Sequence, residues 1–204
     1  MDAMEFFQRS AGKWRSQRST HHLAFRRAEL GELEITVSAL TPDDPRVQEI
    51  CTMHEVDGQL AAGGALVQWH GTMGWDREGE GHEDSTVMVI VPDVDNPRKG
   101  KLLREKGYAE IVPVAGQYEM DDEDGLNLIT EYETMSAIER FSFADDSDSI
   151  RLRTSTVKRF GGFNTASFCI ETRIDSPAET NATALPEALK ASWEKESAVS
   201  LLGW

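Results

Sequence analysis

Segments in which apolar and polar residues alternate follow one another along most of this chain. Each is long enough for a strand, and short runs such as "DREGEG" and "DDEDG" separate them with turn-forming residues. Even spacing and short connections predict an all-β fold, either an antiparallel up-and-down β-barrel or a sandwich. The predicted strands are residues 14–25, 33–40, 65–75, 85–91, 109–120, 126–134, 137–144, 150–158 and 167–174.

Two segments before the middle of the chain break the alternation and predict helices. Residues 2–10 place Phe6 and Phe7 on one apolar side, which indicates a short N-terminal helix. A second helix is predicted near residues 45–55, where Pro45 occupies the first turn, a position that proline favours.

The composition changes after residue 174. The run "SPAETNATALP" is typical of a linker, and the amphipathic stretch at 186–199 predicts a C-terminal tail helix. We therefore expect a barrel domain over residues 1–174, followed by a linker and tail over residues 175–204. A chain of 204 residues is long enough to bury a core of its own.

The charge balance limits the partners that the chain can bind. Its net charge is −15 and its isoelectric point is near 4.7. Such a field repels the phosphates of nucleic acids and anionic lipid surfaces, so neither nucleic acid nor membrane is expected as a partner. A site for an anion would have to be a local cluster of arginines set against this field.

The cysteines and the N-terminal region predict a cytoplasmic protein. Cys51 and Cys169 are far apart in the sequence and suit buried structural thiols in a reducing compartment. The first residues, "MDAMEFFQRSAGKW", lack the pattern of a secretory signal. No stretch approaches the roughly 20 apolar residues that span a bilayer.

One predicted strand, "SIRLRTSTVKR", carries neighbouring cations on a single face. Alternation places Arg151, Arg153 and Ser155 on the same side of the strand. The pattern is compatible with an ordinary solvent-exposed polar face. It is equally compatible with a surface that holds an anionic group, because two guanidinium groups followed by a hydroxyl can bind a carboxylate.

Two glutamates on predicted strands are candidate site residues, and one of them lies on an apolar face. Glu139 shares the apolar side of "AIERFSFA" with Phe141 and Phe143, and Glu171 lies on the polar side of "SFCIETRI". A buried carboxylate must be paired. For Glu139 the partner is either an arginine, in a structural ion pair, or a ligand that is cationic or donates N–H groups.

Aromatic residues share one face of the strand "ALVQWHGTMGW". Trp69 and Trp75 lie on this face and are either core residues or the wall of a site for a flat apolar ligand. The sequence "GKW" at the first strand matches the G-x-W pattern of lipocalins, whose barrels hold one small ligand. The histidines lack the spacing of a metal motif, and no nucleophile motif is present, so neither a metal centre nor a catalytic triad is predicted.

Several stretches, taken in order, closely resemble the S-type phycobiliprotein lyases, the CpcS/CpeS chromophore lyase family. The resemblance runs from about residue 4 to residue 174 and implies a lipocalin-like, fatty-acid-binding-protein-like (calycin) barrel. It also implies an enzyme that binds a linear tetrapyrrole and attaches it through a thioether to a cysteine of a phycobiliprotein subunit. The stretches are "MEFFQRSAGKWRSQRSTHHLAF", "GGALVQWHGTMGW", "LLREKGYAEIVPVAGQY", "LITEYETMSAIERFSF", "IRLRTSTVKRFGGF" and "ASFCIETR".

The resemblance assigns roles to individual residues. Arginines suit the two propionates of a bilin, tryptophans suit its flat conjugated system, and carboxylates suit its pyrrole N–H groups. Glu139 and Glu171 are implied to be catalytic, keeping the pyrrole nitrogens protonated. Ser142 in "ERFSF" replaces a tryptophan that is frequent in the family. The implied ligand-binding residues are Arg18, His21, Trp69, Trp75, Arg151, Arg153 and Ser155.

The resemblance further implies the partners. The substrate is phycocyanobilin or phycoerythrobilin, with no permanently bound cofactor. The acceptor is an apo-phycobiliprotein subunit of phycocyanin, allophycocyanin or phycoerythrin, in the cyanobacterial cytosol or plastid stroma. The apolar tail either docks on the barrel, packs against a second copy in a homodimer, or is a frayed terminus. Two alternatives stay open, a non-catalytic carrier of a bilin or fatty acid, and a solidly packed barrel whose arginine face binds an acidic partner.

Overall fold

In the described part of the chain, ten antiparallel strands form a closed barrel. The computed structural model describes residues 1–73, 81–105, 114–144 and 146–174. Each strand in this part of the chain pairs with the next, and the last pairs with the first. This confirms the predicted all-β up-and-down barrel. The strands are β1 (Gly12–His22), β2 (Arg27–Leu40), β3 (Gly63–Met73), β4 (His82–Pro92), β5 (Lys99–Arg104), β6 (Val114–Met120), β7 (Leu126–Glu131), β8 (Met135–Phe143), β9 (Ile150–Arg159) and β10 (Gly162–Arg173).

The N-terminal helix α1 (Ala3–Ser10) closes one end of the barrel. A capping box fixes its start, since the Asp2 carboxylate accepts from the Glu5 backbone N–H and the Glu5 carboxylate accepts from the Asp2 N–H, both at 2.8 Å. Phe6 and Phe7 of α1 are buried among side chains of the barrel interior. The predicted N-terminal helix is therefore present and covers one end of the barrel.

The second helix, α2 (Pro45–Met53), packs on the outside of the barrel. The Asp44 side chain caps its N-terminus by accepting from the backbone N–H of Arg46, and Pro45 occupies the first turn. Its buried face, which includes Val47, forms a second apolar cluster with outward-pointing residues of β4 and β5. The predicted tail helix at 186–199 lies outside the described residues.

Strand β5 is the one described strand that the alternation did not predict. Leu102 points into the barrel interior, and its neighbour Leu103 points outward but is covered by the cluster beneath α2. Both side chains are buried, so polar residues do not alternate with apolar ones. A strand that is covered on both faces loses the period-two signal.

The two ends of the barrel differ. α1 lies at the end where β1 begins, and the β1–β2 and β9–β10 turns lie at the opposite end. Within the described residues no helix combines the length and apolar character needed to cross a membrane.

Candidate ligand cavity

The barrel encloses a cavity of about 370 Å³. Its volume falls in the range of roughly 300–1,000 Å³ that is usual for small-molecule sites. Phe6, Phe7 and Ser10 of α1 line its closed end. The cavity is inconsistent with a solidly packed barrel, which was one of the open alternatives.

Charged side chains from six strands converge on this cavity. Among the described residues, four arginines and three carboxylates line it, an excess of positive charge in a chain whose net charge is −15. Such a cluster offers an anion a favourable position against the field of the whole protein. The charged lining residues are Arg18, Arg104, Arg151, Arg153, Asp84, Glu139 and Glu171.

Strand β9 presents two of these arginines. Arg151 and Arg153 line the cavity, while Thr154 between the inward positions is exposed. Ser155 shares their side of the strand and is buried, facing Glu139 in the β8–β9 register, but it does not line the cavity. Of the three side chains that alternation placed on one side of β9, the two arginines therefore line the cavity and the serine does not.

Arg151 forms a buried ion pair with Glu171 across β9 and β10. The Nε of Arg151 donates to Oε2 of Glu171 at 2.6 Å, and the guanidinium stacks over the ring of Trp14 at 4.7 Å. The other carboxylate oxygen of Glu171, Oε1, is buried and has no hydrogen-bond partner in the described part of the chain. Buried acceptors are normally satisfied, so Oε1 is an unsatisfied acceptor on a side chain that lines the cavity.

Glu139 lies between two arginines. Its carboxylate accepts a hydrogen bond from Arg153 and another, at 3.4 Å, from Nη2 of Arg104. Burial by itself would raise the pKa of Glu139, but the charges and hydrogen bonds of Arg153 and Arg104 lower it to about 2. Glu139 is therefore ionised at neutral pH and accepts hydrogen bonds only. The structural ion pair with an arginine, one of the two alternatives for Glu139, is therefore present. Glu139 also lines the cavity.

Two of the charged lining residues were missed in the sequence. Arg104 belongs to β5, whose existence the alternation concealed, and Asp84 lies on β4 just before the predicted start of that strand. Once β5 is recognised, Arg104 follows from its spacing, because it lies two residues after the inward-pointing Leu102.

Strand β1 contributes Arg18 and not its neighbour His21. Arg18 lines the cavity, and its Nε donates to the hydroxyl of Thr20 at 3.0 Å rather than to a carboxylate. His21 has the opposite strand parity and does not line the cavity. The imidazole on the Arg18 side is that of His22, whose Nε2 lies 3.2 Å from a carboxylate oxygen of Glu29.

The aromatic wall is described in part. Trp69 on β3 lines the cavity and is half-buried, and Phe141 on β8 lies on the same lining surface. Trp75 lies outside the described residues. A half-buried indole beside an empty space provides a flat apolar contact for a conjugated ligand.

Neither a metal nor a thiol belongs to this site as described. No group of three or more histidine, cysteine, aspartate or glutamate side chains in the described ranges could hold a metal ion. Cys51 and Cys169 are both buried, and neither lines the cavity. Burial raises the pKa of both thiols, which keeps them in the unreactive protonated form.

Known proteins with similar sequences are described as CpeS-like proteins and chromophore lyases. A profile of the family described as "CpeS-like protein" matches residues 2–174. Chromophore lyase CpcS/CpeS 2 of Trichodesmium erythraeum is 60% identical over 204 residues, with complete coverage of both chains. The phycocyanobilin lyase subunit CpcS of a Picosynechococcus species is 61% identical over 191 residues, which cover 93% of this chain and 96% of the relative.

A solved structure shares the architecture. The S-type phycobiliprotein lyase CPES from Guillardia theta superposes with a TM-score of 0.74 at 34% sequence identity. The superposition covers 86% of this chain and 94% of the other. The ten-stranded barrel is therefore the fold of that lyase as well.

Proposed function

The chain belongs to the CpeS-like protein family, and from this premise we propose that it is a chromophore lyase that attaches a linear tetrapyrrole to a cysteine of a phycobiliprotein subunit. The single observation that carries the proposal is the cavity in which arginines, carboxylates and Trp69 converge. A bilin combines two propionates, a row of pyrrole nitrogens and a flat conjugated system. Each of these parts has a complementary group on the cavity wall.

The arginines bind the propionates of the pigment in this proposal. Arg18 is the readiest of them, because the hydrogen bond from its Nε goes to a neutral hydroxyl. Arg153 and Arg104 share Glu139, so one of the two can turn toward a propionate while the other still compensates the buried carboxylate. Trp69 packs against the conjugated system.

The carboxylates accept hydrogen bonds from the pyrrole N–H groups. Glu139 is ionised, since its pKa is about 2, and Glu171 has one oxygen without a partner in the described residues. A carboxylate beside these nitrogens stabilises the protonated, more electrophilic form of the pigment. On the basis of the family resemblance alone, we also propose ligand-binding roles for His21, Trp75 and Ser155.

The covalent step needs no cysteine from this chain. The sulfur of the acceptor cysteine bonds to the exocyclic carbon of the pigment's ethylidene group, the carbon–carbon double bond opens, and the thiol proton passes to the neighbouring ring carbon. The protein holds the reacting carbon toward the end of the barrel opposite α1 and keeps it from reacting elsewhere.

We further propose phycocyanobilin as the pigment and a phycocyanin or allophycocyanin subunit as the acceptor, because a 61% identical relative is named a phycocyanobilin lyase subunit. The cyanobacterial cytosol or plastid stroma is the proposed location. The proposed organisation is a barrel domain over residues 1–174 with a tail over 175–204 that takes part in a homodimer.

The test mixes the full chain with phycocyanobilin and an apo-phycobiliprotein subunit. Denaturing electrophoresis with zinc-enhanced fluorescence then reports covalent pigment on the acceptor. We expect a fluorescent acceptor band that requires this protein and weakens with Glu139→Gln. A shift in visible absorbance on mixing pigment and protein, without any covalent band, would indicate a carrier instead of a lyase. The absence of both signals would refute pigment binding.

A further inference from the structure

Exposed aromatic side chains cluster at the end of the barrel opposite α1. Phe160 at the tip of the β9–β10 hairpin is 83% exposed, Phe163 just after it is 58% exposed, and Phe25 in the β1–β2 turn is 74% exposed. The two hairpins are neighbours, because β1 pairs with β10 up to His22 and Thr165. The aromatic groups therefore share one region of the barrel rim.

The turn explains the backbone conformation of residue 160 but not the phenylalanine side chain at that position. Phe160 (φ 49°) and Gly161 (φ 78°) form a two-residue turn between the paired residues Arg159 and Gly162. Positive φ at both positions is the type I′ arrangement, for which asparagine, aspartate and glycine are preferred and a bulky side chain is unfavourable. A strained and exposed phenylalanine contributes little to stability, and strain of this kind is typical of functional positions.

The same two hairpins carry a concentration of cations. Arg26 and Arg27 follow the β1–β2 turn, and Lys158 and Arg159 precede the β9–β10 turn. The ammonium of Lys158 lies 4.8 Å from the ring centre of Phe163. The four cations belong to these two hairpins alone, because the adjoining β7–β8 turn carries the exposed carboxylates of Glu131 and Glu133.

We propose that this aromatic–basic rim is the docking surface for the acceptor protein. The rim consists of Phe25, Phe160 and Phe163 together with Arg26, Arg27, Lys158 and Arg159. The inference rests on the proposed lyase function, which requires the acceptor cysteine to approach a pigment whose cavity is closed by α1 at the other end. The matching acceptor surface is acidic and has an apolar recess beside its reactive cysteine.

Position and chemistry favour a protein over other occupants. A partner on this rim lies at the barrel end opposite α1, from which the proposed function has the acceptor cysteine approach, whereas a lipid surface supplies no thiol. Aromatic and arginine side chains are also the groups that dominate the energetics of protein interfaces. Anionic lipid and a second copy of this chain are the occupants that the experiment must distinguish.

The decisive variant is Phe160→Asn. It creates Asn-Gly, the preferred sequence for a type I′ turn, so the fold should be as stable as the wild type or more stable. We expect the affinity for an apo-acceptor whose reactive cysteine is replaced by serine, measured by calorimetry with the pigment-loaded full chain, to fall about 10-fold. The absorbance of the bound pigment should not change, because Phe160 does not line the cavity.

A charge reversal provides the second arm. Arg26→Glu combined with Arg159→Glu should slow acceptor association about 10-fold at low salt and reduce its salt dependence. The control is Lys101→Glu, which reverses an exposed cation on β5, away from the rim, and should leave association within about twofold of the wild type.

The outcomes separate the inference from the function on which it depends. If the wild type attaches pigment and the rim variants match it in acceptor affinity and rate, the docking surface is wrong while the lyase function stands. If the wild type neither binds nor transfers pigment, both proposals fail. Co-sedimentation of the wild type with phosphatidylglycerol vesicles that is abolished by Phe160→Asn, or a dimer that this variant dissociates, would assign the rim to another occupant.

Discussion

Arg151 and Glu171 lie opposite each other on β9 and β10 and are joined by one hydrogen bond of 2.6 Å from Nε to Oε2. Both side chains are buried, and Oε1 of Glu171 has no hydrogen-bond partner among the described residues. Burying two charges costs about as much free energy as their attraction returns, so an incompletely bonded pair is a poor source of stability. Its position in the cavity wall agrees with the ligand-binding role that we propose.

The pair can be separated into its structural and ligand-binding parts by substitution. Arg151→Ala leaves a buried, uncompensated carboxylate and should lower the free energy of unfolding by about 3–5 kcal/mol. Arg151→Met combined with Glu171→Leu removes both charges and should restore most of that stability without restoring pigment binding. Urea unfolding and absorbance titration check the two effects. A double variant that binds pigment like the wild type would contradict the proposed role of the pair.

Arg18 should matter for the pigment and little for the fold. The Nε of Arg18 donates to the hydroxyl of Thr20 and not to a carboxylate. Loss of that hydrogen bond in Arg18→Ala therefore leaves no buried carboxylate without a partner. Loss of a charged hydrogen bond to a propionate should weaken pigment binding about 10-fold or more. Arg15→Ala, at an exposed position on the same strand, is the matched control. Equal pigment affinities for the two variants would exclude Arg18 from the site.

The stability of the barrel should respond to acid through Glu139. Its pKa is about 2 in the folded protein against an ordinary 4.5, so ionised Glu139 favours the folded state above that ordinary pKa. This contribution is lost progressively as the pH falls from about 4.5 to about 2. Glu139→Gln cannot titrate, so its unfolding free energy should depend less steeply on pH in this window. Parallel pH profiles for the two proteins would show that Glu139 is not the responsible group.

The two thiols should be dispensable for pigment transfer. Cys51 and Cys169 are buried away from the cavity lining, and burial raises the pKa of each thiol. The double variant Cys51→Ser with Cys169→Ser should therefore yield the same covalent acceptor band as the wild type in the mixing assay. Loss of the band in a variant that still folds by circular dichroism would point to a covalent intermediate on this protein.

The sequence predicted the barrel because most strands have one face toward the core and one toward water. That signal failed at β5, where Leu102 is buried by the interior and Leu103 by α2, and both lie in a stretch of basic residues typical of loops. Contacts between elements far apart in the chain erase local periodicity in this way. No window of the sequence shows that α2 returns to cover the outside of β4 and β5.

The site was predictable where it depends on strand parity. The sides taken by Arg151, Arg153 and Glu139 follow directly from alternation. Which charge pairs with which does not, because pairing depends on the register between strands. The partnership of Glu139 with Arg104 in particular joins β8 to β5, two strands that are not neighbours in the sheet.

The closed end formed by α1 has a kinetic consequence. Phe6, Phe7 and Ser10 line that end of the cavity, which favours entry of the pigment from the opposite end, where we propose that the acceptor also docks. An acceptor seated there first would obstruct loading. We therefore expect a compulsory order in which the pigment binds before the acceptor, and excess apo-acceptor should act as a substrate inhibitor that is competitive with pigment.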